Sequence, residues 1–560
     1  MIEGVFNLFR SKRFQPDKTR AASAALCAVL AGTLVLSACS NKSATSPSAS
    51  PAAGSPAAVA GKASYPLQTD TTLTYWVESN STVLPIKSSN SDVPFFQELQ
   101  KKTGVKLKFI QAPANQAKET INIMFASGDY ADVMEFQFLS GYPGGPEKAI
   151  KDGNILKLND AIDKYAPNLK KYLKEHPEVD KLVKTDSGSY YGFPFITSDP
   201  YLDVYQGPIF RKDWLDDLGL PVPTTIDEWY TTLKAFKEKK GAEAPLTFLG
   251  TPRSLEHLYN GAIIGAFGVN RTFYLDNGQV KFGPAQPGYK QFLETMRKWY
   301  AEGLLDKNIA TVDSKILDAQ MTSGKSGAAI GNAGGQVGKW LTTMKDKDPK
   351  YNLVGAPYPT LKKGDRAKFG QKDSAAPIGG YVAISPKSKN IETAVRMLDY
   401  GYSPEGAMFY NFGTEGVTYK MDNGYPKYTD LIMNNPDKYP IYTAMSLYIR
   451  GQTYGPYIQD KRYAEQYFAV KQQRDAIDAW KNTDNEKYAL PPVTPSAEEN
   501  AEYTKIMTEV NTLIDEYTLK VILGSDSLDN YDKFLEKLKA LKVDRAVEIQ
   551  AGAYKRFQTR

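Results

Sequence analysis

The chain has 560 residues, a length that fits two or more lobes with a substantial core. Charged residues make up 24% of it and the net charge is only +6, which excludes disorder throughout and argues against a protein that binds nucleic-acid phosphates. Its 2 cysteines, Cys27 and Cys39, both lie in the N-terminal apolar region, so the rest of the chain has no thiol for a disulfide or a metal site.

The N-terminus has the pattern of a secretory signal. Basic side chains are concentrated in residues 1–20, and an uncharged stretch rich in Ala, Leu and Val follows over 21–38. It closes on Leu36-Ser37-Ala38-Cys39, which resembles the bacterial lipoprotein box. We therefore predict a signal peptide over 1–38, with an acyl lipid such as palmitate on Cys39. The alternative is an uncleaved membrane anchor, which the small Ala, Ser and Gly residues disfavour.

Residues 39–64 are almost entirely Ser, Ala, Pro, Thr and Gly. Such a segment has too little apolar surface to bury, so we predict a disordered tether that holds the folded body near a membrane. The expected location is the extracellular face of the cell membrane, or its periplasmic side if the host has an outer membrane.

Alternating strand and helix patterns begin after the tether. The βαβα order implies an α/β fold with a largely parallel, doubly wound sheet. The predicted strands are 73–77, 105–111 and 133–136, and the predicted helices are 94–104 and 117–127.

Caps and turns mark the later elements. Thr225 to Glu228 reads as a capping box, and Ser403 before Pro404 as a helix start. The Asn-Gly pairs at 277–278 and 423–424 predict hairpin turns. A long helix should begin after Ser496, because its apolar residues recur every three or four positions up to Val521.

Several dispersed motifs resemble extracellular solute-binding protein family 1, the carbohydrate-binding lipoproteins of ABC transporters, in their large Gram-positive form. The motifs are 126–133 (ASGDYADV), 192–195 (GFPF), 209–220 (IFRKDWLDDLGL), 223–228 (PTTIDE), 323–328 (SGKSGA), 398–406 (LDYGYSPEG), 413–419 (GTEGVTY) and 550–556 (QAGAYKR). The resemblance implies a two-lobed, type II periplasmic-binding-protein-like fold with a ligand cleft between the lobes. We assign 65–194 with 376–430 to lobe 1, and 195–375 with 431–560 to lobe 2.

Sugar sites combine flat aromatic faces with a few polar groups, at places where strand ends meet loops. The chain is rich in suitable rings, with 36 Tyr and 6 Trp. The residues predicted to bind ligand are Trp76, Glu78, Tyr142, Tyr201, Asp203, Tyr205, Arg211, Trp340, Tyr381 and Glu415. For Arg211 the alternative is a salt bridge with Asp213 or Asp217. Trp214, Trp229 and Trp299 fall on amphipathic helices and are expected in the core.

Metal, cofactor and enzyme motifs are weak. Relatives in the family carry a calcium loop after the helix that follows the capping box, but 239–246 (KKGAEAPL) lacks the oxygen ligands, so we predict no metal and no cofactor. Gly324-Lys325-Ser326 is interpreted as a turn instead of a phosphate-binding loop. His176 and His257 stand isolated, which leaves little material for a catalytic triad.

The expected protein is therefore not an enzyme. It is a monomeric, lipid-anchored receptor that captures an oligosaccharide and delivers it to the permease subunits of an ABC importer, without binding nucleic acid. Two alternatives stay open: a secreted glycosidase that acts through a carboxylate pair, and a protein that presents ligand to a membrane sensor kinase.

Overall fold

The computed structural model describes residues 64–113, 116–197, 199–250, 262–373, 380–450 and 454–560. All of them belong to the compact unit Val59–Arg560. The predicted signal peptide, Cys39 and all of the predicted tether except Ser64 lie outside the described residues.

Short strands alternate with helices along this unit. The strands are β1 (Thr72–Glu78), β2 (Lys106–Ala112), β3 (Val133–Glu135), β4 (Phe193–Pro194), β5 (Ile196–Thr197), β6 (Gln206–Arg211), β7 (Leu246–Thr247), β8 (Phe273–Asp276), β9 (Gln279–Phe282), β10 (Ala328–Asn332), β11 (Leu353–Gly355), β12 (Tyr381–Ile384), β13 (Tyr419–Asp422), β14 (Tyr425–Tyr428) and β15 (Ile458–Gln459).

The α-helices cover more of the described chain than the strands do. They are α1 (Pro94–Thr103), α2 (Ala117–Ser127), α3 (Phe138–Gly141), α4 (Gly145–Lys151), α5 (Asn159–Tyr165), α6 (Pro167–Glu175), α7 (Pro177–Val183), α8 (Lys212–Asp217), α9 (Ile226–Lys240), α10 (Pro287–Ala301), α11 (Ser314–Ser323), α12 (Lys339–Met344), α13 (Ile391–Asp399), α14 (Pro404–Phe412), α15 (Asp430–Met433), α16 (Ile441–Tyr448), α17 (Lys461–Tyr467), α18 (Lys471–Trp480), α19 (Asn485–Tyr488), α20 (Ala497–Ile522), α21 (Tyr531–Ala540) and α22 (Val543–Gln558).

The first sheet has the strand order β2-β1-β3-β12-β4. β1 pairs in parallel with β2 and β3, as the βαβα pattern predicts, but β12 is antiparallel to both of its neighbours. The parallel prediction is therefore wrong for this part of the sheet. β12 enters the sheet after a long excursion of the chain through the second sheet, so no βαβ crossover sets its direction.

The second sheet has the order β11-β6-β10-β7, with β6 antiparallel to both β10 and β11. Each sheet lies in its own buried hydrophobic cluster. The first cluster contains the residues of β1, β3 and β12, and the second those of β6, β10 and α20. The predicted lobe boundaries stay a prediction.

The predicted N-caps and hairpin turns are confirmed, whereas the capping box at Thr225 is only half formed, because the Glu228 carboxylate accepts from the Thr224 backbone N–H instead of the Thr225 N–H. The Thr225 side chain accepts a hydrogen bond from the Glu228 backbone N–H at 3.2 Å, and Ser403 caps α14 through the Gly406 N–H at 3.0 Å. Asn277 and Gly278 both have positive φ, as do Asn423 and Gly424. Two successive positive φ values are what a tight hairpin turn requires, and Asn-Gly supplies them at low cost.

The C-terminal helix α22 joins the two clusters. Its residues Val543 and Ala546 pack in the second cluster, while Arg556 donates to Asp186 at 2.6 Å, just beyond α7 of the first cluster. Arg560 also donates to Asp186, at 3.0 Å through Nε, and to the Lys184 carbonyl at 2.6 Å. Because the Arg560 side chain is only 5% exposed, water screens these contacts little.

Candidate functional site

A cavity of about 790 Å³ lies at the carboxyl ends of β1 and β3. Val77 and Glu78 end β1, while Glu135 ends β3 and Phe136 follows it. β1 lies between β2 and β3, so the chain leaves β1 to one side and later returns to its other side. Such a reversal of strand order opens a crevice at the carboxyl edge of a sheet, where ligands bind in α/β folds.

The remaining walls come from helices and from the loops that follow β1 and α16. The N-terminal residues of α1 and α2 line the cavity, and neither helix has a side chain that caps it. In α1, Pro94 has no N–H and the Phe96 N–H donates to the Val93 carbonyl at 3.0 Å, whereas in α2 no capping side chain accepts from the first N–H groups. The wall residues are Val77, Glu78, Ser79, Asn80, Ser81, Thr82, Val83, Asn90, Val93, Phe95, Phe96, Ala117, Lys118, Glu135, Phe136, Gln137, Ser140, Gly141, Tyr442, Ser446, Arg450 and Tyr454.

An ion pair between Arg450 and Glu135 lies in this wall. The Arg450 Nη2 atom donates to Glu135 Oε1 at 2.5 Å, and the two side chains are 14% and 10% exposed. The Tyr75 hydroxyl donates to the other Glu135 oxygen at 2.9 Å, and Arg450 Nε donates to the Tyr454 carbonyl at 3.0 Å. Burial is the largest single effect on the pKa of Arg450 and lowers it, but the combined electrostatic effects of Glu135, Tyr75, Tyr457 and Tyr410 exceed it, so the pKa is raised and the guanidinium stays charged.

Two aromatic rings in the wall are open to solvent. Tyr442 is 38% exposed and Tyr454 is 40% exposed, whereas Phe95, Phe96 and Phe136 in the same wall are buried. A ring that is exposed in a concave wall can lay its face on an apolar surface of a ligand.

Polar groups lie among these rings. The Asn90 side chain is buried and its Nδ2 atom has no hydrogen-bond partner within the described residues. Its backbone N–H donates to Gln111 Oε1 at 2.8 Å. A buried amide N–H without a hydrogen-bond partner costs free energy. A movement of the wall that let Asn90 donate to an oxygen of the ligand would therefore favour binding.

Of the ten predicted ligand-binding residues, Glu78 lines the cavity and the others do not. Trp76 is 1% exposed and packs edge-on against Phe136, because β1 is an interior strand whose successive residues Tyr75, Trp76 and Val77 are all buried, so that both of its faces are covered. Trp340 is fully buried, and its Nε1 donates to Asp318 at 2.7 Å. The expectation that these two indoles face an open cleft is therefore wrong; their contact with ligand stays a prediction.

Three further predicted residues form ion pairs, hydrogen bonds or ring contacts with other residues of the protein. Arg211 is buried between the rings of Trp214 and Tyr351 and pairs with Asp213, which is the structural alternative named for it. The Tyr142 hydroxyl donates to Asp152 at 2.7 Å. Tyr381 stacks on Tyr191 with ring centroids 4.4 Å apart, and burial raises its pKa to about 12.

The other four predicted residues lie away from the cavity wall as well. Tyr201 packs against Phe468, and its buried hydroxyl has no partner among the described residues. Asp203 is buried and accepts a hydrogen bond from the Thr197 hydroxyl at 2.7 Å. Tyr205 is 36% exposed beside Gln371, and Glu415 is exposed in the loop before β13.

Sequence reasoning missed Tyr442, Tyr454, Arg450 and Glu135. Tyr454 stands between Gly451 and Gly455, so the preference for aromatics at Gly-rich loops that selected Trp340 could have selected it too. Glu135 and Arg450 are 315 residues apart, and no local pattern connects them. Within the described parts of the chain, no group of three or more His, Cys, Asp or Glu residues could hold a metal ion.

The family model of the bacterial extracellular solute-binding proteins matches residues 87–408, which is more than half of the chain. The chain belongs to this family. The fructooligosaccharide ABC transporter substrate-binding protein FusA of Streptococcus pneumoniae is 28% identical over 71% of this chain and 72% of its own length. The lipoprotein LipO of Bacillus subtilis is 27% identical over 63% of this chain and 69% of its own length.

Solved structures confirm the predicted fold class. The alginate-binding protein AlgQ2 superposes with a TM-score of 0.71 and 26% identity, over 87% of this chain and 99% of its own. FusA in complex with kestose shares the fold, with a TM-score of 0.69 and 21% identity over 87% of this chain and 100% of its own. Among the described helices of the solute-binding protein, none combines the length and apolar character needed to cross a membrane.

The burial of Asp203 predicts a dependence of stability on pH. Burial raises the pKa of its carboxyl to about 6 in the folded protein, above the value of an unfolded Asp. The contribution of Asp203 to the stability of the folded protein is therefore fully present below about pH 4, where the carboxyl is protonated, and it is lost as the pH rises through about 6. Relative to wild type, Asp203→Asn should become more stable by about 2 kcal/mol between pH 4 and pH 7.

Urea unfolding at the two pH values measures this difference. Asp216→Asn is the matched control, because the Asp216 side chain is 59% exposed and its loss should leave the difference near zero. An Asp203→Asn difference that is the same at both pH values would contradict the prediction.

Proposed function

We propose that this solute-binding protein captures an oligosaccharide in the cavity at the carboxyl edge of the first sheet and delivers it to an ABC importer. The observation that carries the proposal is the pairing of two exposed rings, Tyr442 and Tyr454, with hydroxyl, amide and carboxylate groups in one concave wall. Rings stack on the C–H face of a sugar while polar groups bind its hydroxyls.

The size of the cavity and the relatives support this proposal. Its volume of about 790 Å³ falls in the range of roughly 300–1,000 Å³ that ligand pockets occupy. FusA is named as a fructooligosaccharide-binding component of an ABC transporter, and MelE of Bacillus subtilis as a melibiose-, raffinose- and stachyose-binding protein. Both names describe soluble sugars of a few units.

Closure of two lobes is the proposed mechanism of delivery. Helix α16 packs into both hydrophobic clusters, through Met445 in the second and Leu447 in the first, and it presents Tyr442 to the cavity. A ligand held by the first sheet and by α16 would bind the closed arrangement more tightly than the open one. It would therefore shift the population toward the closed form that a permease can recognise.

Binding without turnover is the central prediction. A glycosidase would need a pair of carboxylates, and two of them, Glu78 and Glu135, line the cavity. Glu135, however, already accepts hydrogen bonds from Arg450 and Tyr75. A cognate oligosaccharide should raise the melting temperature and be recovered intact, since a ligand at 100 times its Kd adds about 2.7 kcal/mol to the free energy of unfolding.

The measurement is thermal unfolding against a panel of neutral and acidic oligosaccharides, followed by mass spectrometry of the recovered sugar. Release of shorter sugars by the wild type, abolished in Glu78→Gln, would establish the glycosidase instead.

We expect the two exposed tyrosines to contribute more to the affinity for ligand than to the free energy of unfolding. Tyr442→Ala and Tyr454→Ala are expected to weaken binding of the panel sugar about tenfold, equivalent to about 1.4 kcal/mol, because each loses a stacking face. Trp340→Ala is the control: loss of this buried indole should cost about 3–5 kcal/mol of stability. Calorimetric Kd values and urea unfolding distinguish the two effects. Normal binding by both tyrosine variants would contradict this placement of the site.

Attachment to the membrane through Cys39 is part of the proposal. The lipoprotein box at 36–39 and the tether behind it support an anchor on the extracellular face of the cell. The proposed receptor is a monomer, and its membrane partner is the permease. Cys39→Ala should release the protein from membranes into the medium, whereas Cys27→Ala, the other cysteine, should not. Fractionation and the mass of the mature N-terminus are the measurements. The anchor would be refuted if the wild-type protein carried no lipid-sized mass and was found in the medium to the same extent as Cys39→Ala.

A further inference from the structure

The cavity contains four charged side chains, which are Glu78, Lys118, Glu135 and Arg450. Their formal charges sum to zero. The proposed function leaves open whether the sugar is neutral or acidic, and the relatives do not decide it. FusA is named for fructooligosaccharides, while YtcQ of Bacillus subtilis, 30% identical over 42% of this chain, is named for polygalacturonan and rhamnogalacturonan.

Arg450 is the group best suited to recognise a carboxylate, because a guanidinium can form two parallel hydrogen bonds with it. In this protein two of its three nitrogens, Nε and Nη2, donate to the chain itself. One terminal nitrogen donates to Glu135 at 2.5 Å, and Nε donates to the Tyr454 carbonyl at 3.0 Å. Glu135 thus occupies the place of a ligand carboxylate and cancels the positive charge that would attract one.

The remaining charged groups do not restore an anion site. Lys118 is exposed in the first turn of α2, where water and salt screen its charge. Glu78 is exposed at the end of β1 and would repel a second carboxylate. The N-termini of α1 and α2 add only partial positive charges, each smaller than the formal charge on Glu78 or Glu135.

We infer that the cavity selects neutral oligosaccharides over those built from uronic acids, and that Glu135 sets this selectivity by neutralising Arg450. The inference rests on the proposed function, since it specifies the class of sugar taken by the same site. A uronate bound against this wall would place a third carboxylate near Glu78 and Glu135. The Arg450 guanidinium would not compensate its charge, because Arg450 is already paired with Glu135.

The test uses matched pairs of sugars that differ in charge alone. One member of each pair is a short uronic-acid oligosaccharide, from galacturonan, glucuronan or alginate, and the other is the same oligosaccharide with its carboxylates reduced to hydroxymethyl groups. Neutral fructo-, gluco- and manno-oligosaccharides complete the panel, with their C6-oxidised forms as partners. Calorimetry at two salt concentrations gives Kd for each member.

For the wild type we expect the neutral member of any pair that binds to be at least about tenfold tighter than its acidic partner. Acidic members that bind as tightly as, or more tightly than, their neutral partners would overturn the inference and leave the proposed function standing. Failure of every sugar to bind would instead count against the proposed function.

Glu135→Gln tests the assigned residue. The amide keeps the size of the side chain and an acceptor for Arg450, but it removes the compensating charge. The ratio of acidic to neutral affinity should rise about tenfold, and more at low salt than at high salt. Glu119→Gln is the matched control, because this exposed carboxylate in the same first turn of α2 lies outside the cavity wall and should leave the ratio unchanged.

A second pair of variants keeps the test independent of folding. Glu78→Gln removes the exposed carboxylate of the cavity and should raise the same ratio about threefold. Tyr75→Phe removes the hydrogen bond to Glu135 without a change of charge, so the ratio should stay near the wild-type value. An unchanged ratio in both Glu135→Gln and Glu78→Gln, with both variants folded, would overturn the role of cavity charge.

Discussion

The ion pair between Glu135 and Arg450 is the contact on which the architecture of the site depends. Glu135 ends the third strand of the first sheet, and Arg450 follows helix α16, whose Ala444 and Met445 pack in the other hydrophobic cluster. Withdrawing two charges from water costs several kcal/mol, which only close geometry and further hydrogen bonds can offset. Tyr75 supplies one such bond to the carboxylate, and the Tyr454 carbonyl accepts another from the guanidinium.

The positions of the exposed rings of Tyr442 and Tyr454 depend on the same segment that carries Arg450. Arg450 also donates its backbone N–H to the Tyr410 carbonyl at 2.8 Å, so the segment that carries Tyr454 is held against the first cluster at two points. Tyr442 lies two turns earlier, on α16. The exposed rings and the buried guanidinium therefore lie on one continuous segment, and a ligand that contacts the rings lies close to the charges of the ion pair.

The same cluster-bridging principle recurs at the C-terminal helix. Asp186 accepts from both Arg556 and Arg560, and the Asp186 side chain is only 13% exposed. Arg556 further donates to Glu499, the residue that also completes the capping box of α20. The two hydrophobic clusters are thus connected by ion pairs at two separate places, whereas the apolar contacts within each cluster hold its own sheet together. Directional contacts at the junction restrict how the clusters can rotate relative to one another.

The sequence by itself determined the local elements, because their signals act within a few residues. The Asn-Gly turns, the N-caps at Thr225 and Ser403, the long helix after Ser496 and the first three parallel strands follow from backbone preference and hydrophobic period, and the dispersed motifs identified the family. Tertiary structure alone decided the antiparallel entry of β12, the burial of Trp76 on a strand covered on both faces, and the choice of Tyr454 over Trp340 for an exposed wall. Aromatic residues near glycine look alike in sequence, and only packing against elements hundreds of residues away decides which ring stays in contact with solvent. The pairing of Glu135 with Arg450 has the same origin, since a charge that is compensated across 315 residues leaves no trace in either local segment.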